Sequence, residues 1–175
     1  MRIEASPFDL VLAGLFGASA LVLPMFFHAF GLGKAFLPMY VPLLVLALVA
    51  RTPVAVGTAV LVPAVSTLAT GMPPVYPPVL PKMCVELGLM ALAASLARTH
   101  WRWGLFPAAL LAVGVERAAY VVMTLFLTGL FHLPGREITL AMVVVSWPGI
   151  LLQLAVAPPA ARWLEPRVAR MRAIR

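Results

Sequence analysis

Residues 37–68 read LPMYVPLLVLALVARTPVAVGTAVLVPAVSTL, and Arg51 is the one charged side chain among them. Two apolar runs, from about Leu37 to Ala50 and from about Pro53 to Leu68, meet at Arg51-Thr52. So short a link predicts a tight hairpin of helices. Both runs fall short of the ~20 residues that a membrane crossing takes. Short spans hold where neighbouring helices bury them or where they do not cross completely.

Composition places the rest of the chain in the same solvent. Of 175 residues, 63% are hydrophobic and 11% charged, and mean hydropathy is +1.02. A soluble domain has too much surface to carry so little charge. The net charge of +7 comes from basic residues that are few and localised, which reads as a topology signal. No basic stripe is interleaved with aromatics, so nucleic acid is not an expected partner. The single cysteine, Cys84, excludes an intrachain disulfide framework and a cysteine-based metal cluster. It reads as a small apolar filler.

Four more runs complete the set: Leu10 to about Phe27, Val79 to Ala97, about Trp103 to Leu127, and about Ile138 to Ala160. The expected fold class is all-α, an integral membrane bundle of six transmembrane helices. It forms a single domain over residues 1–175, with a basic cytoplasmic tail at 165–175. Arg2, the first apolar run and Ala18-Ser19-Ala20 imitate a cleaved secretory signal. The run continues through Leu21 to Phe27, where a cleaved signal turns polar, so it is read as a first membrane helix.

Lysine and arginine counting sets the orientation. With the N-terminus inside, nine basic residues fall inside: Arg2, Arg51, Arg98, Arg102, Arg162, Arg167, Arg170, Arg172 and Arg175. Three fall outside, Lys34, Lys82 and Arg136, and Arg117 lies within the membrane. Both termini are therefore expected in the cytoplasm of a multi-pass protein of the bacterial cytoplasmic membrane. Trp101 and Trp103 then sit at the inner interface.

Thr70–Pro81, TGMPPVYPPVLP, joins spans three and four on the outer side with five prolines. Proline lacks a backbone donor and disfavours helix at the preceding residue, so the segment is stiff and extended or turned. Its apolar side chains Met72, Val75, Tyr76 and Val79 discourage a fully solvated loop. The expectation is a lid or wall over an outward-facing pocket; the alternative is a rigid connector without ligand contact.

Ionisable residues within spans are costly and are functional candidates. Glu86, Glu116 and Arg117 form the set here, with Gln153 as an uncharged polar group. At 1.5 Å per residue, Glu86 lies ~10 Å below the outer end of span four and Arg117 ~21 Å above the inner end of span five. Trp147 falls at ~13 Å below the outer end of span six. In a ~30 Å core these depths nearly coincide, so Glu86, Glu116, Arg117 and Trp147 are expected in one layer of the outer half. Adjacent Glu116 and Arg117 point about 100° apart and cannot both line one narrow face. Arg117 is the preferred ligand contact, against a purely structural pairing with Glu86 or Glu116.

His28, Lys34 and Tyr40 flank the loop after span one; Lys82 begins span four, and Tyr120 lies one turn beyond Glu116. Singly they read as interfacial residues. Together they describe a mouth for a small solute with a polar or anionic head and a ring or apolar body. Trp147-Pro148-Gly149 predicts a bend in span six. In span one, Ala13 with Gly17 and Gly14 with Ala18 are small-xxx-small pairs that admit a close helix. That helix is either internal or a separate membrane subunit.

The succession of motifs resembles a known family. It runs Phe27-His28-Ala29-Phe30-Gly31, FLPMY at 36–40, Thr70-Gly71-Met72-Pro73-Pro74, Glu86-Leu87, Glu116-Arg117 with Tyr120, then Pro148-Gly149-Ile150 and Gln153. In order and topology this is similar to a substrate-binding S component of the energy-coupling factor (ECF) vitamin transporters. The resemblance implies a six-helix protein that captures a vitamin or precursor on the outer side. It works with a coupling membrane subunit and two cytoplasmic ATPases, and topples in the membrane to deliver its cargo. The family docks through alanines spaced four apart in span one, where this chain has Ala13…Gly17 and Gly14…Ala18. Tyr40 stands where the family often has His. Arg117, Lys82 and Lys34 lean toward a carboxylate-bearing cargo, pantothenate over cobalamin.

The chain has no phosphate-binding Gly-rich loop ending in Lys-Ser or Lys-Thr. Energy must come from a partner or an ion gradient, so a stand-alone ion-coupled carrier is the second reading. An intramembrane enzyme is the weakest: there is no HExxH or paired-Asp motif, and His28, His100 and His132 are dispersed. No cofactor or metal is expected.

Overall fold

The computed structural model describes residues 7–31, 36–76, 78–131 and 145–173. Among them are six α-helices and no strand. They are α1 (Pro7–Ala29), α2 (Tyr40–Val49), α3 (Thr52–Thr70), α4 (Val79–Thr99), α5 (Leu105–Phe131) and α6 (Trp147–Ala173). Four segments are long and apolar enough to cross a bilayer: Pro7–Phe27, Thr52–Thr70, Val79–Thr99 and Leu105–Leu130. The protein is membrane-embedded, and its polarity is accordingly inverted. Glu86, Glu116 and Gln153 are fully buried, whereas Leu61, Leu68, Phe26 and Val122 are exposed. Lipid-facing hydrocarbon needs no partner, and buried polar groups do.

The hairpin of the opening stretch forms, but its halves differ. Arg51 is extended at φ −67° and ψ 142°, and Pro53 follows in the first turn of α3, where a missing N–H costs nothing. α3 is long and apolar enough to cross; α2 is too short. Its ten residues span ~15 Å, half the hydrocarbon core. Nine of the ten are buried, and α2 packs against all five other helices. A helix apolar all round belongs inside a bundle, and α2 is the axis of this one.

Two ties fix α2 to α4. Tyr40 bonds Glu86 near one end, and Ser95 Oγ donates to the Ala47 carbonyl at 3.0 Å near the other. Pairing 40 with 86 and 47 with 95 makes the two helices parallel. α3 approaches α4 closely because Gly88 has no side chain; an added Cβ would lie 2.9 Å from Val60 Cγ2.

Small residues of α1 divide between two faces. Gly17 is buried against Thr58 and Val62 of α3, each 3.5 Å from where a Cβ would stand. Gly14 and Ala18 are exposed, Ala13 is half-buried, and nothing lies within 4 Å of a Cβ at Gly14. Of the two readings of these pairs, an internal helix contact and a separate subunit, Gly17 takes the internal one.

The sixth run also differs from its expected bounds. Residues 138–144 lie outside the described residues. From Trp147 the helix continues through Ala160 to Ala173, so most of the basic tail is helical. Pro148 sits in the first turn of α6, directly after the turn at Ser146; the prolines inside the helix are Pro158, Pro159 and Pro166. The tail is clasped to the bundle. Arg172 Nη2 donates to Asp9 Oδ1 at 2.5 Å and to the Val49 carbonyl at 3.3 Å. Arg51 Nε lies 3.3 Å from Asp9 Oδ2. Arg98 pairs with Glu165 and also donates to the Trp103 carbonyl. One buried carboxylate on α1 thus gathers the α2–α3 link and the end of α6.

Candidate functional site

At the opposite end of α2, Leu37 adopts a left-handed backbone at φ 48° ahead of Pro38. This turns its carbonyl onto the Tyr40 N–H at 3.0 Å and starts α2 at Tyr40. The buried phenol donates to Glu86 Oε2 at 3.0 Å. Glu86 lies on α4 with no exposed surface. One turn earlier on the same face, Lys82 places Nζ 3.9 Å from Glu86 Oε1. The ammonium also donates to Thr124 Oγ1 at 3.4 Å and stands 3.8 Å over the centroid of the Tyr120 ring. Thr124 in turn donates to the Tyr120 carbonyl at 2.7 Å.

The second half of the cluster is on α5. Arg117 turns back on its chain neighbour: Nε donates to Glu116 Oε2 at 2.6 Å, and Nη2 donates to Oε1. Bidentate geometry is the strongest form of this pair. Nη1 donates to Ser146 Oγ at 2.9 Å, just before α6. The guanidinium carbon lies 5.3 Å from the Tyr120 centroid and 5.9 Å from that of Tyr40, so Tyr120 stands between the two cations. The 100° divergence of Glu116 and Arg117 did not keep their heads apart. The long arginine stem spans the angle, and the pair acts as one unit.

Tyr40, Lys82, Glu86, Glu116, Arg117, Tyr120, Thr124 and Ser146 thus form one polar layer drawn from α2, α4, α5 and the start of α6. The layer sets two carboxyl groups against two basic side chains. Lys82 is the less committed cation, because both of its polar contacts exceed 3.3 Å, beyond the usual range for a charged hydrogen bond. On α6, Gln153 has no exposed surface, and neither polar atom of its amide has a hydrogen-bond partner among the described residues.

Other expected site residues lie elsewhere. Trp147 is 58% exposed and outside the layer: its depth is right but its face is wrong, since it points about 100° from Ser146. Ser146 takes the place expected for Trp147. The missed signal was spacing. Ser146, Gly149 and Gln153 recur at i, i+3 and i+7, all buried, while Trp147 and Leu151 share an exposed face.

The proline-rich loop is fastened by Thr67 Oγ1 to the Pro73 carbonyl at 2.6 Å and by the Leu80 N–H to the Pro74 carbonyl at 3.1 Å. Gly71, at φ 73°, ends α3. The loop does not turn its side chains onto the buried layer: Met72 is 59% and Tyr76 71% exposed. Lys34 lies outside the described residues, as does the side chain of His28. Among the described residues no group of three or more His, Cys, Asp or Glu side chains could hold a metal ion. No protein-family model, curated protein or solved structure matches the chain.

Proposed function

We propose that the chain is the membrane-embedded substrate-capture subunit of an ECF-type importer for a vitamin or related small molecule. One observation carries this reading: four separate elements bring eight polar or aromatic-polar side chains into a single layer that pairs acidic with basic groups inside a bundle with an apolar exterior. A membrane protein that only needed to fold would gain nothing from burying two carboxylates and two cations, because well-packed hydrophobic side chains do as well or better. Such groups in a span are retained for a solute or an ion.

Further features support the family reading. The Asp9, Arg51, Arg172 and Arg98–Glu165 contacts gather basic residues at one end of the bundle, opposite the Tyr40 end. That asymmetry supports a cytoplasmic location for both termini and six membrane-inserted helices, α2 entering only partway. The exposed small residues Gly14 and Ala18 suit close approach of a coupling membrane subunit. With no nucleotide motif in the chain, two cytoplasmic ATPases would supply the energy. The pairing within the layer bears on cargo. Arg117 is satisfied by Glu116, so a carboxylate-bearing solute such as pantothenate would engage Lys82, whose hold on Glu86 is loose.

The deciding experiment is uptake in cells with and without the coupling subunit and ATPases, paired with mass spectrometry of small molecules that co-purify with the protein. Capture predicts a bound solute and uptake that needs the partners. Solute movement by purified protein in liposomes under a proton gradient alone would make it an ion-coupled carrier.

A further inference from the structure

The buried polar layer does not account for Gln153. This side chain is fully buried, and among the described residues its Oε1 and Nε2 both lack a hydrogen-bond partner. Buried side-chain amides are almost always satisfied, so an orphaned donor and acceptor on one buried residue mark it as a ligand-facing candidate. Its position says which part of a ligand it would face. Gln153 is seven residues from Ser146, two turns along the same face of α6, or ~10 Å deeper. Between them on that face lies Gly149, buried and without a side chain. Ser146 Oγ holds Arg117. The stripe therefore runs from the charged layer, past a buried glycine, to a carboxamide without a partner among the described residues.

We propose that Gln153 is the inner recognition residue for the captured solute, reading the end that lies away from the Lys82–Arg117 layer. This assignment rests on the capture reading. A carboxamide presents an N–H donor beside a C=O acceptor. Its full complement is a solute edge with the same pair reversed, as in a lactam, a ureido group, a pyrimidinone or a secondary amide. The solute class is thus a molecule whose inner end carries an adjacent donor and acceptor, with a polar group ~10 Å away. A purely apolar inner end would leave the amide unpaired, and the site would select against it.

The test uses full-length protein purified in mild detergent. Small molecules are extracted from equal amounts of wild type, Gln153→Leu, Gln153→Glu and Lys82→Met, and are quantified by mass spectrometry beside each melting curve. The expected result is a solute in wild type that falls at least tenfold in both Gln153 variants, with melting temperatures within about 3 °C of wild type. Full retention by either Gln153 variant overturns the assignment, as does loss of solute only through collapse of both variants' thermal transitions. If Lys82→Met loses the solute while Gln153→Leu keeps it, the assignment fails and capture stands. If wild type yields no solute above a lipid blank, capture itself fails and Gln153 with it.

Discussion

Tyr40 donates its phenolic hydrogen to Glu86 across 3.0 Å, joining the first residue of the central half-length helix to a fully buried carboxylate on α4. That one bond ties the axis of the bundle to the polar layer. It also keeps a tyrosine in place by something more specific than packing.

Tyr40→Phe removes the bond and leaves Glu86 Oε2 buried without a donor. The expected loss is about 1–3 kcal/mol of stability, read as a lower melting temperature in detergent. The double variant Tyr40→Phe, Glu86→Leu should recover most of it, because both partners are then apolar. Equal melting of Tyr40→Phe and wild type would contradict the buried-bond assignment.

The Glu116–Arg117 pair allows structure and capture to be separated. Arg117→Ala strands a buried carboxylate and should cost about 3–5 kcal/mol, so a poorly folded protein is expected from this change alone. Replacing both, as Glu116→Leu with Arg117→Met, should restore stability to near wild type. Because Lys82, and not Arg117, engages the solute in the capture reading, the refolded double variant should regain its solute. A double variant that folds yet holds no solute would place the pair in the binding site.

Gly14 and Gly17 should behave oppositely. A leucine at Gly17 meets Thr58 and Val62, and overpacking of that kind costs about 1–3 kcal/mol. Gly14 is exposed and an added Cβ there meets nothing within 4 Å, so Gly14→Leu should leave the melting temperature unchanged. If α1 docks a coupling subunit, Gly14→Leu should also retain solute binding yet block uptake. Normal uptake by that variant would remove α1 from the docking surface.

Asp9→Asn should loosen the clasp at the end of α6. Arg172 and Arg51 would then face an amide instead of a carboxylate, weakening both charge-assisted contacts. Limited trypsin digestion reads this directly, with cleavage at Arg167, Arg170 and Arg172 rising relative to wild type. Tail cleavage unchanged by the substitution would mean that α6 is held by its apolar contacts alone.

Much of this architecture was legible in the residues. Burial in lipid depends on the sum of side-chain hydropathies along a segment, and that sum is a property of the chain. The bounds of α1, α3, α4 and α5 follow from it within a few residues, and Arg51-Thr52 marks the α2–α3 hairpin. The rarity of polar groups within spans likewise singled out the ionisable Glu86, Glu116 and Arg117 and the uncharged Gln153. Counting residues from the span ends brought the first three to one depth.

Direction around a helix, and choice of partner, were decided only in the folded bundle. Depth scales with residue number, whereas facing depends on which neighbours a helix meets. Trp147 therefore lies at the right height on the wrong side, and Gly17 turns inward while Gly14 turns out. The sequence left Arg117 free to choose either glutamate. Tertiary packing gave Glu116 to Arg117 and Glu86 to Tyr40 and Lys82, because a charge in a low-dielectric interior must find the nearest group that can satisfy it, and only the assembled helices determine which group that is.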